Sequence, residues 1–459
     1  MFHLVNWVCD HSNQEENMAH PIIIQESSLR NYLSAFRDVF RPAQWTYFET
    51  VLMGLIHCQS SRTLSGMLRT VAVLVTVWDL SRFLVSPRWS PVRLAEVRYR
   101  FFSAEVQPLV AAAHEAQRLN RPRHRGRCKA TVVTGYLILD DSTHVKRYSK
   151  QMSGLGWHYS STDKRTLPGH SLFEGLYVVE GRQFPLQPQM YVQKSVCERE
   201  RRPFQSKVDL ALSTIEHFEP LPETHTHVLI DSWYVNKRMW KAVKRRKWDL
   251  TGGLKANHKL RTRDAEGQLI WMRLDDFADE LPADQFQPVQ WPSQAGEDIV
   301  YVHLIRTRVK KLGACQVLIV KPTAEASGDQ ARFYLTTRLA DMLEQVVQTV
   351  ALRWSVETLF ADFKELMGSD QYQLHSAEAI LRFWALGLCL YQYLDSLRHR
   401  LERLSQRHLT IGETLAWLRQ RHDDLRVTWI CTLALKGVQP LRILGVLTPA
   451  LPPLALANC

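Results

Sequence analysis

Two adjacent carboxylates, Asp140 and Asp141, end the apolar, β-branched run TVVTGYLIL, and a third, Asp231, ends the short run HTHVLI. An aspartate at the end of a buried strand offers its oxygens from a rigid backbone through a short side chain, so it can hold a cation with little loss of entropy. Read alone, each is also an ordinary turn starter or helix cap. Further along, ALRWSVETLFADFKELMG spaces Arg353, Glu357 and Lys364 four and then seven residues apart. On a helix this spacing sets all three along one stripe. Leu352, Val356, Leu359, Phe360 and Phe363 give the same helix an apolar face to bury. Taken by itself, such a stripe is a solvated ion-pair face. Carboxylates brought together need a cation, since at about 4 Å a like-charge pair costs roughly 1 kcal/mol in water and about 4 kcal/mol near a protein surface.

These residues depend on the elements that carry them. Residues 20 to 118 read as helical, with apolar positions every three or four residues and a natural break at Pro42. The basic, turn-prone LNRPRHRGRCK (119–129) marks a boundary. Beyond it TVVTGYLILD, HSLFEGLYVVEG and QFPLQPQMYVQ read as strands, with Gly181 at the turn between the second and third. PFQSKVDLALSTIEHF reads as a helix opening at Pro203, HTHVLID as a strand, YVNKRMWKAVKRRKW as a strongly basic helix and WDLTGGLKAN as another strand. Three strands, helix, strand, helix, strand is the order of a ribonuclease-H-like mixed sheet. Residues 257 to 335 predict an all-β insert, followed by long helices from about Leu339 to Met367 and from about Ala377 to Leu404.

The expected fold is therefore α/β, a ribonuclease-H-like mixed sheet interrupted by a β-rich insertion, with helical N- and C-terminal regions. The expected division is a helical N-terminal domain over 1–125, core over 126–256, insertion over 257–337, last core helices over 338–405 and a C-terminal region over 406–459.

A formal charge of +12 on 459 residues favours a polyanionic partner. The basic helix supplies Lys237, Arg238, Lys241, Lys244, Arg245 and Arg246 directly after Asp231, with Trp233, Trp240 and Trp248 among the charges. That mixture suits backbone binding with stacking, and equally suits tryptophans packed between helix and sheet. A membrane span is not expected, because the most apolar window is interrupted by Asp79 and Arg82. The N-terminus lacks the basic region of a signal peptide. Eight scattered cysteines without C-x-x-C fit reduced thiols in the cytosol. The histidines of HTHVLID have no third ligand nearby in sequence.

RWSVETLFADFK matches the R-x3-E-x6-K signature of bacterial DDE transposases. LDDST resembles their first acidic motif and VLIDSWYVNKRMWKAV the second, while FYLTT and MGSDQYQLHSAEAILRFWALGLCLYQYL resemble the segments flanking the last acidic helix. The likeness is to the insertion-sequence-four and related groups, and covers roughly residues 20 to 400. It implies a catalytic, metal-binding triad of Asp140, Asp231 and Glu357, with Asp141 as the competing first aspartate. It implies two Mg²⁺ ions, with Mn²⁺ able to substitute, acting in an in-line displacement by water or a 3′-hydroxyl. Arg353 and Lys364 would bind phosphate beside the scissile bond. In related enzymes an aromatic from the insert stacks on a flipped base, making Trp271 and Trp291 candidates here. The implied partners are element ends, bound through the helical 1–125 domain as a DNA-binding domain, and target DNA, held by a homodimer assembled on DNA, in a prokaryotic cytoplasm at the nucleoid. One position departs from the group, which often carries a tyrosine three residues before the arginine, where this chain has Val350.

Adjacent strand residues face opposite ways, so Asp140 and Asp141 cannot easily share one site. The family's aspartate–any–serine/threonine pattern favours Asp140, while Asp141–Ser142–Thr143 is the competing register. Two rival functions use the same residues: an inactive, transposase-derived DNA-binding protein, and a ribonuclease-H-like nuclease without strand transfer.

Overall fold

The computed structural model describes residues 20–22, 24–119, 132–160, 163–293 and 296–447. Most of the basic boundary segment 119–129 and the proline-broken tail from 448 lie outside the described residues. The chain divides into two compact units, one of residues up to Ser90, Leu366–Leu374 and from Glu378 onward, the other of Pro91–Glu365 and His375–Ala377.

The Pro91–Glu365 unit is built on one mixed sheet. Its strands are β1 (Val133–Val145), β2 (Gly156–Ser160), β3 (Arg165–Val179), β4 (Arg182–Pro185), β5 (Gln189–Tyr191), β6 (Thr224–Ile230), β7 (Asp249–Leu254), β8 (Lys259–Arg263), β9 (Leu269–Arg273), β10 (Gln287–Ser293), β11 (Gly296–Val309), β12 (Gly313–Lys321) and β13 (Arg332–Thr336). They lie in the order β9-β8-β11-β12-β13-β7-β6-β1-β3-β2, with β10 on β11 and with β4 and β5 on β3. β6 runs parallel to both β1 and β7, and the remaining pairs are antiparallel. The turn between β3 and β4 is the two-residue Glu180–Gly181, both with positive φ (47° and 74°), the geometry that glycine relaxes in a tight hairpin.

Helices cover the sheet: α1 (Pro91–Leu119), α2 (Lys194–Arg199), α3 (Lys207–His217), α4 (Lys237–Arg245), α5 (Leu274–Glu280), α6 (Leu343–Leu352) and α7 (Trp354–Glu365). Leu137 and Leu139 of β1 join Phe102 and Val106 of α1, Leu210 and Ile215 of α3 and Met239 and Val243 of α4 in one buried cluster. This large mixed sheet with its helices is consistent with the ribonuclease-H-like expectation.

Several details differ from the sequence reading. α3 begins at Lys207, not at Pro203, because Ser206 and Asp209 form a reciprocal cap: Ser206 N–H donates to Asp209 Oδ2 (3.0 Å) and Asp209 N–H to Ser206 Oγ (3.2 Å). Within the segment expected to be all β, LDDFADE forms α5, which buries Leu274, Phe277 and Ala278 at helical spacing. The long helix expected from Leu339 is two helices that meet at Arg353. There the bonds Arg353 N–H to Val350 O (3.2 Å) and Val356 N–H to Arg353 O (3.3 Å) each span three residues, so the helix is locally overwound.

The other unit is helical, including Pro42–His57, Ala377–Ser405 and Ile411–Leu435. The helix from Ala377, read above with the sheet, packs here instead: Tyr32 OH donates to Cys389 O (2.9 Å), and Trp384, Leu386 and Leu390 are buried. Among the described residues, no helix is long and apolar enough to cross a membrane.

Candidate active site

Strand register sets three carboxylates in a row. β1 lies parallel to β6 with Leu139 beside Ile230, so Asp140 and Asp231 are the next positions outward on neighbouring chains. β1 lies antiparallel to β3 with Glu174 directly opposite Asp140. Paired residues share a face of the sheet. Asp140 and Glu174 therefore stand side by side on β1 and β3, and Asp231 follows directly from the end of neighbouring β6.

The α6–α7 junction brings in the fourth carboxylate. Arg353 donates from Nη1 to Asp140 Oδ2 (3.2 Å) and from Nη2 to Glu357 Oε1 (2.9 Å), so one guanidinium spans the two acids. Burial pushes the Asp140 carboxyl up to about 7, with Arg353 opposing the shift and the charges of Asp141 and Asp231 adding to it. Burial works against the Arg353 cation too, but Asp140, Glu357 and Asp231 outweigh it and the net shift is upward. Tyr334 of β13 lies in the same field. Burial raises its phenol, Arg332 and Arg353 oppose this, and Asp231 and Glu357 reinforce it.

Asp141 faces the other way. It accepts from Lys207 Nζ at the start of α3, from Tyr234 OH (2.6 Å) and, more weakly, from Ser171 Oγ (3.5 Å). The structure thus places Asp140, and not Asp141, with Arg353 and Glu357.

Glu174 was not singled out from sequence. It is 2% exposed, and its Oε1 has no hydrogen-bond partner. Burial pushes its carboxyl up to about 8, against the charge of Lys364 on α7. The available signal was a single acid inside the mostly apolar run LFEGLYVV.

The basic helix α4 splits into two sets. Arg238 pairs with Asp209 (2.7 Å), Arg245 with Glu216 (3.3 Å), and Arg246 donates to Phe218 O (2.7 Å), so the arginines tie α4 to α3 and the loop after it. Lys237 instead lines a cavity of about 530 Å³ with Lys255, Lys259, Lys310 and Lys311. None of these five lysines is paired with a carboxylate among the described residues. Lys241 and Lys244 line a second hollow beside Arg238.

Trp271 on β9 is 40% exposed, whereas Trp291 is 3% exposed and packs among Val300, Val302 and Leu318, stacked with Tyr334 at 6.0 Å. Val350 fills the same cluster. His225 and His227 bond across to β7, to Asp249 Oδ2 (2.9 Å) and Thr251 Oγ1 (2.8 Å).

The helical unit holds a group of another kind. His20, His57 and His422 bring one ligand atom each to within 4.8 Å of one another. Their hydrogen bonds argue against a metal. Glu26 N–H donates to His422 Nε2 (3.1 Å), which leaves the ring proton on Nδ1, facing His57 Nε2 at 3.1 Å. A metal on that Nδ1 would require the ring to lose its proton while still accepting an N–H. His20 stacks on His57 with ring centroids 4.2 Å apart, its Nε2 bonded to Ile24 O (2.7 Å), and burial lowers all three pKa values, that of His422 to about 3.

In the sheet unit, Asp140, Asp231 and Glu357 are hard oxygen donors, and two of them already share the single guanidinium of Arg353. The donor set fits a divalent cation such as Mg²⁺.

A family described as a DDE superfamily endonuclease matches residues 35–268, just over half of the 459-residue chain. A second, described as a transposase DDE domain, matches residues 205–393. No curated protein matches the chain.

Proposed function

The chain belongs to the DDE superfamily of endonucleases, and from that premise we propose that it is a DNA transposase of the insertion-sequence-four-like group, acting as a homodimer assembled on DNA. It binds the terminal inverted repeats of its element, cleaves phosphodiester bonds and transfers the 3′ ends to target DNA. The observation that carries this reading is the convergence of Asp140, beside Asp231, with Glu357 across the Arg353 guanidinium.

Asp140, Asp231 and Glu357 would hold Mg²⁺, which when bound supplies Lewis-acid polarisation of phosphate oxygens and activation of an attacking hydroxyl. The protein's own groups prepare that site. Asp140 gives up the proton that burial favours, and Arg353 releases one arm from a carboxylate to a substrate phosphate, for which its planar fork is suited. Lys364, on the same helix as Glu357, adds a point charge. Away from the reacting bond, Lys237, Lys255, Lys259, Lys310 and Lys311 offer uncompensated charge to the phosphate backbone, and Trp233, 63% exposed beneath Lys255, offers a ring to a base.

The test is incubation with the element's own ends and Mg²⁺, with cleavage and joining read on a sequencing gel. Joined products are expected. Cleavage without joining, even from pre-cut ends, would identify a nuclease, and binding without cleavage an inactive descendant.

A further inference from the structure

Strand β2 (Gly156–Ser160) ends the strand order of the sheet, paired on one side with β3. It buries Gly156, His158 and Ser160 and turns Trp157 and Tyr159 outward, each 64% exposed. An edge strand beside water ordinarily shows polar side chains on its outer face. Two neighbouring exposed rings therefore mark a binding surface. Pairing with a further strand is not its use, because the outer backbone edge is already taken at Trp157. Trp157 N–H donates to Gln193 Oε1 (3.1 Å), and Gln193 Nε2 donates to Trp157 O (2.6 Å). The rings, not the backbone, are what β2 offers.

Their spacing and surroundings fit nucleotides. Two residues along an antiparallel strand span about 6.8 Å. Bases stack at about 3.4 Å, so the pair can take one base between the rings or one on each. A base can lie on a protein ring only when it is free of its own duplex stack, which selects unpaired strands. Residues 146–165 carry five Lys and Arg against one acid, Asp163, and that acid is paired with Arg147. Lys164 and Arg165, at the start of β3, are exposed beside the rings. The pleat also sets the rings on the Asp140 face. Trp157 is opposite Pro168 and Tyr159 opposite Thr166, and both positions alternate in step with Glu174, opposite Asp140. Pro168 lies six residues from Glu174, about 20 Å along β3.

We propose that β2 is a binding site for unpaired DNA, with Trp157 and Tyr159 stacking on bases and Lys164 and Arg165 meeting phosphates. On the transposase reading the occupant is the strand that leaves the cut; the binding itself does not rest on that reading.

The test titrates the full chain with a fluorescent oligothymidine and with a duplex of the same length. Trp157→Ala/Tyr159→Ala is expected to weaken oligothymidine binding about tenfold or more, with duplex binding within twofold and an unchanged thermal midpoint, since both rings are exposed. Trp157→Phe/Tyr159→Phe should restore most of the affinity. Lys164→Ala/Arg165→Ala should lower the salt slope of oligothymidine binding by about 1.4, at about 0.7 per phosphate contact. Unchanged oligothymidine binding in the alanine pair overturns the proposal, and so does an equal loss on duplex. Conversion of a dimer to a monomer by the alanine pair, read by light scattering without DNA, also overturns it, by making β2 an interface between copies. If the wild type binds oligothymidine through these rings yet never cuts element ends, the transposase reading fails and the site stands.

Discussion

The two faces of β1 carry the same residue type one position apart and put it to opposite uses. On one face Asp141 is fixed by an ammonium, a phenol and a serine hydroxyl. On the other, Asp140 meets a guanidinium shared with Glu357, and burial leaves its carboxyl at about 7. The first aspartate has its charge met by three donors. The second shares its guanidinium with Glu357, and on the proposed function that guanidinium turns to a substrate phosphate. Partners, more than burial, separate a structural carboxylate from a candidate ligand.

The largest effects should fall on the Asp140 face. Asp231→Asn and Glu357→Gln are expected to lower Mg²⁺-dependent cleavage of end DNA by about a thousandfold or more, with end binding within a few-fold of wild type. Near-normal cutting by either variant, measured in single-turnover assays, would break the two-face contrast.

Asp141→Asn should act mainly on stability. It leaves the part-buried Lys207 without its counter-charge, at a cost of about 1–3 kcal/mol in denaturant unfolding. Below its melting temperature the variant should keep cleavage within tenfold of wild type.

A pH series sharpens the same contrast. The Asp140 carboxyl is raised from 3.8 to about 7, so between those values the folded protein binds more protons than the unfolded chain. Its contribution is fully present below about pH 4 and is lost as pH rises through about 7. The histidine stack acts in the opposite sense, since His422 is lowered from 6.5 to about 3 and its contribution is lost as pH falls through that range. Calorimetry of metal-free wild type against Asp140→Asn isolates the first term. The wild type should lose stability relative to the variant from about pH 4 to 7, and Mg²⁺ should reverse that loss.

Much of this was legible in the chain because it is local. Strand-end aspartates and the Arg353–Glu357 stripe are short-range patterns, and alternation along a strand already sends Asp140 and Asp141 to opposite faces. Glu174 was not legible, because its place depends on antiparallel pairing between β1 and β3, a register no local pattern encodes. The overwound turn at Arg353 was hidden because RWSVET has good helical spacing on both sides of it. The arginines of α4 read as free positive charge until α3 supplied Asp209 and Glu216 from about 29 residues away. Trp291 and Val350 sit far apart in sequence, and only the fold shows that they fill one cluster.

The smallest predicted effect concerns the lysine cavity, whose lining includes no residue of β1. Replacing Lys310 and Lys311 with alanine should lower the salt dependence of DNA binding by about two units of slope, without changing the cleavage step. Binding titrations between low and moderate salt would show it, and an unchanged slope would remove the cavity from the DNA path.

The most direct measurement compares Asp140→Asn with Asp141→Asn, each checked for folding by calorimetry, in Mg²⁺-dependent cleavage of the element's ends. The account predicts a folded, DNA-binding Asp140→Asn protein that does not cut and a less stable Asp141→Asn protein that does. A folded but inactive Asp141→Asn protein beside an active Asp140→Asn protein would contradict it.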